Sequence, residues 1–111
     1  MIDTHTHLYL EQFSEDITDV VNRAIDVGVT RCYLPSISSK HNNSMLELEK
    51  KFPGFFYSMI GLHPCYVNRD FENEILQVEK LIVERAPYSE RKKIKVKSIL
   101  SCRYVIGYGF I

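Results

Sequence analysis

The sequence predicts an α/β fold in which parallel strands alternate with helices. Three observations support this class. Short apolar runs rich in β-branched and aromatic residues recur along the chain, amphipathic stretches of helical period separate them, and glycine or proline marks most of the boundaries. Strand followed by helix three times over favours a parallel sheet with right-handed crossovers. The 111 residues suit one domain. They are too few for a closed barrel of eight such units, which takes about 250 residues.

The first strand-helix unit spans the opening of the chain. Met1 to His7 suit a brief buried strand that leads into a turn. We expect an amphipathic helix next, with Ser14 as its N-cap and Gly28 as the glycine that follows its last turn. One apolar residue per turn forms the predicted buried stripe of this helix: Phe13, Ile17, Val20, Val21, Ala24 and Ile25.

Two further units follow. Val29 to Leu34 and Phe55 to Leu62 read as strands, and the unbroken apolar character of the second is typical of a strand buried on both faces. Ser36 to Ser39 form a predicted polar turn before the second helix. Asp70 caps the third helix, which Pro87 ends. The apolar residues that define these two helices are Met45, Leu46, Leu48 and Phe52, and then Phe71, Ile75, Val78, Leu81 and Ile82.

The chain changes character near residue 86, so we divide it into residues 1–85 and a divergent basic segment, residues 86–111. Six basic residues and one acid lie between Glu90 and Arg103. Such a tract either is a solvated tail or holds nucleic acid phosphates. Tyr104 to Ile111 would supply a fourth strand, although Gly107 and Gly109 interrupt it.

Composition excludes several classes of protein. Formal net charge is zero, and no apolar run approaches the roughly 20 residues that a membrane helix needs. Cys32, Cys65 and Cys102 are odd in number and widely spaced, which argues against a disulfide framework or a thiolate zinc site. The N-terminus lacks the basic and apolar regions of a signal peptide, so we expect a cytoplasmic protein.

His5 and His7 are the candidate metal ligands. Two residues apart on a strand, they would present both imidazoles on one face, and Asp3 would share that face. Two neutral imidazoles suit a divalent metal, and a neighbouring carboxylate is the usual group that fixes their tautomers. The alternative is an incidental, exposed pair. His41 lies in a polar helix, and we expect it to be solvated.

Three spaced motifs resemble the TatD family of metal-dependent deoxyribonucleases. They are Asp3-Thr4-His5-Thr6-His7-Leu8, the helix end from Ala24 to Val29, and Gly61-Leu62-His63-Pro64. The resemblance covers residues 1–85. It implies part of a (β/α)8 barrel, here about three βα units and a possible fourth strand. It also implies hydrolysis of phosphodiester bonds, often in DNA, with Mg, Mn or Zn. His5 and His7 would hold one metal, and His63 and Asp3 would contact a phosphate of the substrate or orient the metal ligands.

The sequence departs from that family at its later ligands. Tyr108 falls where the family has a glutamate that bridges two metals, and a phenol is a poor substitute for a carboxylate. The family's other ligands would lie after Ile111. We therefore expect a truncated hydrolase that binds metal weakly and is inactive alone, with no complete catalytic set.

Other readings of the chain remain open. One is a non-catalytic α/β fragment that self-associates through open sheet edges. Another is a weak nucleic-acid-binding module, in which the basic segment holds DNA. A third keeps the barrel superfamily but changes the substrate to a cyclic amide or ester, because the HxH pair is shared across that superfamily.

Overall fold

A computed structural model of the chain describes residues 1–85. The expected basic tract, fourth strand and Tyr108 site lie outside these residues, as does Pro87. The described part contains three strands and three helices in alternation, which confirms the predicted α/β class. They are β1 (Ile2–Asp3), α1 (Ile17–Asp26), β2 (Arg31–Pro35), α2 (Ser39–Lys51), β3 (Phe56–Met59) and α3 (Phe71–Arg85), with short 3-10 helices at Glu11–Phe13 and Pro64–Tyr66.

The strands form one parallel sheet in the order β1-β2-β3. Burial alternates along β2 and β3, so the packed core lies on one face of the sheet. The other face carries Tyr33 and Tyr57, whose ring centroids are 5.5 Å apart, with the Arg31 guanidinium over Tyr57. Within residues 1–85, β3 is therefore not buried on both faces as predicted. The largest fully buried side chains of the core are Phe56, Leu34, Met45 and Val21.

The first strand differs from the prediction in both length and burial. It comprises only two residues and both are exposed, whereas Met1 to His7 were predicted to form a buried strand. The strand lies at the edge of the sheet and pairs with β2 alone among the described strands. Within residues 1–85, the side of the sheet at β1 is open, and the exposed fractions of Met1 and Ile2 are 76% and 50%.

Helix α1 begins later than its sequence signals indicated. Residues 11–13 form a 3-10 helix instead, and α1 starts at Ile17 after a turn, so the predicted N-cap at Ser14 is wrong. The end of the helix is as predicted. Gly28 has a positive φ of 93°, and its amide donates to the Ile25 carbonyl, which is how a glycine after the last turn ends a helix.

Carboxylates from two helices connect the helical layer. Glu74 of α3 accepts hydrogen bonds from the amide and the hydroxyl of Ser39, at 2.9 and 2.8 Å. It thereby provides an acceptor for a backbone amide of the first turn of α2, which has none within the helix. Helix α2 thus begins inside the predicted polar turn. Glu49 of α2 pairs with Arg85 of α3 at 2.8 Å and also accepts from the Ser58 amide of β3. None of the described helices is long and apolar enough to cross a membrane.

Candidate metal centre at the carboxyl end of the sheet

The chain leaves the regular ladder of β1 just before the two candidate ligands. Asp3 pairs with Cys32. If the parallel ladder continued regularly, the amide of residue 5 would donate the next hydrogen bond, and the Tyr33 oxygen would accept it. Thr6 donates there instead, at 3.1 Å, and the His5 amide donates to Oδ1 of Asp3 at 3.0 Å. One extra residue is thereby accommodated, as in a β-bulge. The strand alternation that would put Asp3 and His7 on one face is broken between them.

The imidazoles of His5 and His7 lie side by side beyond this point. Their ring centroids are 5.0 Å apart and the ring planes are nearly perpendicular. His5 is exposed and His7 is half-buried. The spacing in the sequence predicted two neighbouring rings, and the structure has them, although irregular backbone rather than a strand carries them.

The His7 ring is held by groups that the sequence did not point to. Its Nδ1 lies 3.0 Å from the Tyr9 hydroxyl and 3.1 Å from the carbonyl oxygen of Pro35, the last residue of β2. The Tyr9 hydroxyl in turn donates to the same carbonyl at 2.6 Å. Asp3, which was expected to contact an imidazole, holds the His5 backbone instead. The Nε2 atom of His7 takes no part in these contacts, so it is the nitrogen left for a ligand.

Electrostatics favour the neutral form of His7. Burial lowers the pKa of its imidazole below 6.5, and the neighbouring His5 lowers it further. The hydrogen bond to Pro35 opposes this, while His63 and His41 add smaller effects in the lowering direction. The ring is therefore mainly uncharged at neutral pH, which is the state that binds metals.

His63 lies at the same end of the sheet, four residues after β3. Its amide donates to the Ile37 carbonyl at 2.7 Å, which ties the loop after β3 to the loop after β2. Its Nδ1 accepts from the Cys65 amide at 3.1 Å, so in the neutral ring the proton is on Nε2. His63 is thus equipped to donate a hydrogen bond, whereas His7 offers a lone pair.

Two further side chains belong to this region. Tyr9 is only 6% exposed, and its ring centroid lies 6.2 Å from that of His41. His41, which we expected to be solvated, is half-buried. No group of three or more His, Cys, Asp or Glu side chains within residues 1–85 is arranged to hold a metal ion. Imidazole nitrogens suit zinc, copper, iron and nickel, whereas magnesium and manganese favour oxygen ligands.

A groove of about 490 Å³ opens beside Tyr9, between the loop after β1 and helix α2. Its floor is apolar and includes Ile17 and Leu48. Two lysines and two glutamates lie at its rim, so the charges balance and no ionic ligand is favoured: Lys40, Lys51, Glu11 and Glu47.

Comparison with known proteins places the chain among TatD-like proteins. A profile of the TatD related DNase family matches residues 2–95. An uncharacterised metal-dependent hydrolase of Haemophilus influenzae is 28% identical over 85 residues, covering 75% of this chain and 32% of that protein. The 3'-5' ssDNA/RNA exonuclease TatD of Pantoea vagans is 29% identical over 85 residues, covering 77% and 32%.

The solved structures give the same result. The crystal structure of YjjV, a TatD homologue from Escherichia coli, superposes with a TM-score of 0.70 at 26% identity. The match covers 77% of this chain and 32% of YjjV. The chain therefore spans about a third of the length of the relatives it matches. Its parallel sheet is consistent with part of a (β/α)8 barrel.

Proposed function

Because the chain belongs to the TatD related DNase family, we propose that it supplies the amino-terminal metal-binding pair of a metal-dependent phosphodiesterase that acts on DNA. The observation that carries the proposal is the pair itself. His5 and His7 lie side by side at the carboxyl end of a parallel sheet, where active sites of such folds are found. The fixed His7 ring leaves its Nε2 available.

The donor set suits a divalent ion held by two neutral imidazoles. We propose Zn ahead of Mg or Mn, since imidazole nitrogen suits Zn, whereas Mg and Mn favour oxygen ligands. A metal bound there would polarise a phosphodiester oxygen and help to activate water. With two protein ligands in residues 1–85 and water at its other positions, the ion is bound weakly by this chain alone.

His63 and Asp3 take supporting roles in the proposal. His63 has its Nε2 proton free to donate to a phosphate oxygen of the substrate, because its Nδ1 accepts from the Cys65 amide. Asp3 acts through the backbone, since its carboxylate fixes the amide of His5 and with it the start of the loop that carries both metal ligands.

The proposed substrate is single-stranded DNA or RNA. Relatives named as 3'-5' ssDNA/RNA exonucleases support this class of substrate, and others named as metal-dependent hydrolases support the metal. We further propose that the 111 residues by themselves do not turn over DNA, because catalytic metal sites generally have three protein ligands and the proposed pair supplies two. Turnover of single-stranded DNA with added Mn²⁺, lost in both His5→Ala and His7→Ala, would contradict this. A cytoplasmic location stays a prediction from the sequence.

The metal proposal is tested by calorimetric titration of the chain with Zn²⁺ or Mn²⁺ at neutral pH. We expect one weak site that is lost in His5→Ala and in His7→Ala. His41→Ala removes an imidazole of the same region that is not part of the pair, so it serves as the matched control and should keep the site. Equal binding by all four proteins would show that the pair is not where the metal binds.

A further inference from the structure

Tyr9 has a set of contacts that packing alone does not explain. Its ring is buried, yet its hydroxyl reaches two polar atoms of the metal centre, Nδ1 of His7 at 3.0 Å and the Pro35 oxygen at 2.6 Å. The third side of this triangle, from His7 Nδ1 to the Pro35 oxygen, is 3.1 Å. Three polar atoms are thus mutually within hydrogen-bond distance.

Counting protons decides how the triangle is arranged. The Pro35 carbonyl can only accept, and Tyr9 has one proton to donate. If Nδ1 of His7 had no proton, that one hydroxyl proton would have to serve two acceptors, and a lone pair of the ring would face the carbonyl oxygen. If Nδ1 has the proton, it donates to the two oxygens while Tyr9 donates to Pro35. Every atom of the triangle then has a partner.

The Tyr9 hydroxyl is placed to donate and to accept at the same time. Its proton is directed at the Pro35 carbonyl, which is the shortest side of the triangle at 2.6 Å. A phenol oxygen can accept as well as donate, so Tyr9 can also accept from the His7 ring, beside the hydrogen bond that it makes with the Ile37 backbone. A metal-binding histidine generally donates its second N–H to an oxygen acceptor of this kind, which sets its tautomer and orientation.

We propose that Tyr9 is a positioning residue that holds His7 as the Nδ1–H tautomer and aims the bare Nε2 at the metal. This inference rests on the proposed function, since it assigns a purpose to Nε2. In this proposal Tyr9 fixes the tautomer of an imidazole, which is the role that the sequence predicted for the Asp3 carboxylate. Tyr9 touches neither substrate nor metal in this proposal and acts only through His7.

The tautomer is measured without metal, by long-range ¹H–¹⁵N correlation on the ¹⁵N-histidine-labelled 111-residue chain above neutral pH. The wild type should show the proton on Nδ1 of His7 and on Nε2 of His63, which provides an internal reference. In Tyr9→Phe, which keeps the buried ring, the His7 signals should move towards the Nε2–H form while those of His63 stay unchanged.

Zn²⁺ titration adds a second readout. We expect Tyr9→Phe to weaken binding about tenfold, at the lower end of the usual effect of such partners. Tyr57→Phe deletes a hydroxyl that contacts the Gly54 carbonyl at the opposite end of β3, so it should change neither the tautomer nor the affinity. An Nε2–H form of His7 in the wild type overturns the proposal. Identical spectra and affinities for the two variants overturn it as well.

These results separate the two proposals. If His7 is the Nδ1–H tautomer and depends on Tyr9, but His7→Ala binds Zn²⁺ as well as the wild type, the proposed metal site fails, and with it the purpose given to Tyr9. If His7→Ala loses the metal while the wild-type tautomer is Nε2–H, the metal site stands and the role of Tyr9 is refuted.

Discussion

His7 and His63 are chemically distinguished by what each Nδ1 contacts. His7 faces a carbonyl and a hydroxyl, so its free nitrogen is a lone-pair donor, whereas His63 accepts a backbone N–H and presents a proton. Two histidines of one chain are thereby suited to different partners, a cation for His7 and an anion for His63. The His63 assignment comes from a backbone amide, whereas that of His7 comes from a backbone carbonyl together with the Tyr9 side chain.

Thiol reactivity offers a test of packing at the residue scale. Burial raises the pKa of Cys32, and the nearby Asp3 carboxylate raises it further, so at pH 8 this residue stays a protonated thiol that reagents cannot reach. Cys65 is exposed. In a Cys102→Ser background, iodoacetamide should modify Cys65 within minutes and Cys32 only after denaturation, as read by peptide mass spectrometry.

We also predict how the labelling of Cys32 by iodoacetamide depends on pH. A raised pKa means that the thiolate of Cys32 is disfavoured until the pH exceeds the ordinary range of a thiol, so raising the pH from 7 to 8.5 should leave Cys32 unmodified in the folded chain. Modification of Cys32 in step with Cys65 at either pH would mean that the core around β2 is open.

The sequence predicted the metal pair but not its supports. Two histidines separated by one residue can be recognised directly in the sequence as candidate metal ligands. The contacts of His7 with Pro35 and of Tyr9 with the same carbonyl join residues 28 and 26 positions apart. They depend on the register between the first two strands and on the extra residue before Thr6, and neither can be read from local pattern.

At the scale of elements, helical period and the glycine after α1 were reliable signals, whereas the N-cap signal of α1 was not. All three helices occur where apolar residues recur at helical spacing, and Gly28 ends the first one as predicted. Ser14 and the acids after it resemble a helix start. The structure places them in a turn after a 3-10 helix, so α1 begins only at Ile17. A local cap signal was outweighed by the path of the loop after β1.

Glu49 connects three elements, and its loss should be costly. Its carboxylate accepts from Arg85 of α3 and from the Ser58 amide of β3, and the Glu49 and Arg85 side chains are only 23% and 25% exposed. Glu49→Ala leaves a guanidinium and a strand amide without their acceptor. We expect a loss of about 1–3 kcal/mol in the free energy of unfolding, measured by urea denaturation followed by circular dichroism.

A matched variant separates this contact from a general effect of glutamate in α2. Glu47 is exposed on the same helix, so Glu47→Ala should change the free energy of unfolding by no more than about 0.5 kcal/mol. Glu49→Gln keeps an acceptor for the Ser58 amide and should fall between the two. Equal stability of the two alanine variants would mean that Glu49 does not link the elements.

At the scale of the whole molecule, the two edges of the sheet differ. Among the described strands, the Ser58 amide on the outer edge of β3 donates to the Glu49 carboxylate, whereas β1 pairs only with β2 and its Ile2 is half exposed. An uncovered edge strand with apolar side chains is a template for pairing with another chain. Among residues 1–85, β1 is therefore the edge through which we predict that the 111-residue chain associates with itself.

Sedimentation velocity over a range of concentrations tests this prediction. The apparent mass of the wild type should rise with concentration. Ile2→Lys should shift it towards the monomer, because a lysine on an edge strand must lose hydration when a second strand pairs there. Val27→Lys places the same charge on an apolar residue that is 71% exposed but lies outside the sheet, so it should associate like the wild type. If the wild type stays monomeric at all concentrations, or if both lysine variants dissociate equally, β1 is not the surface of association.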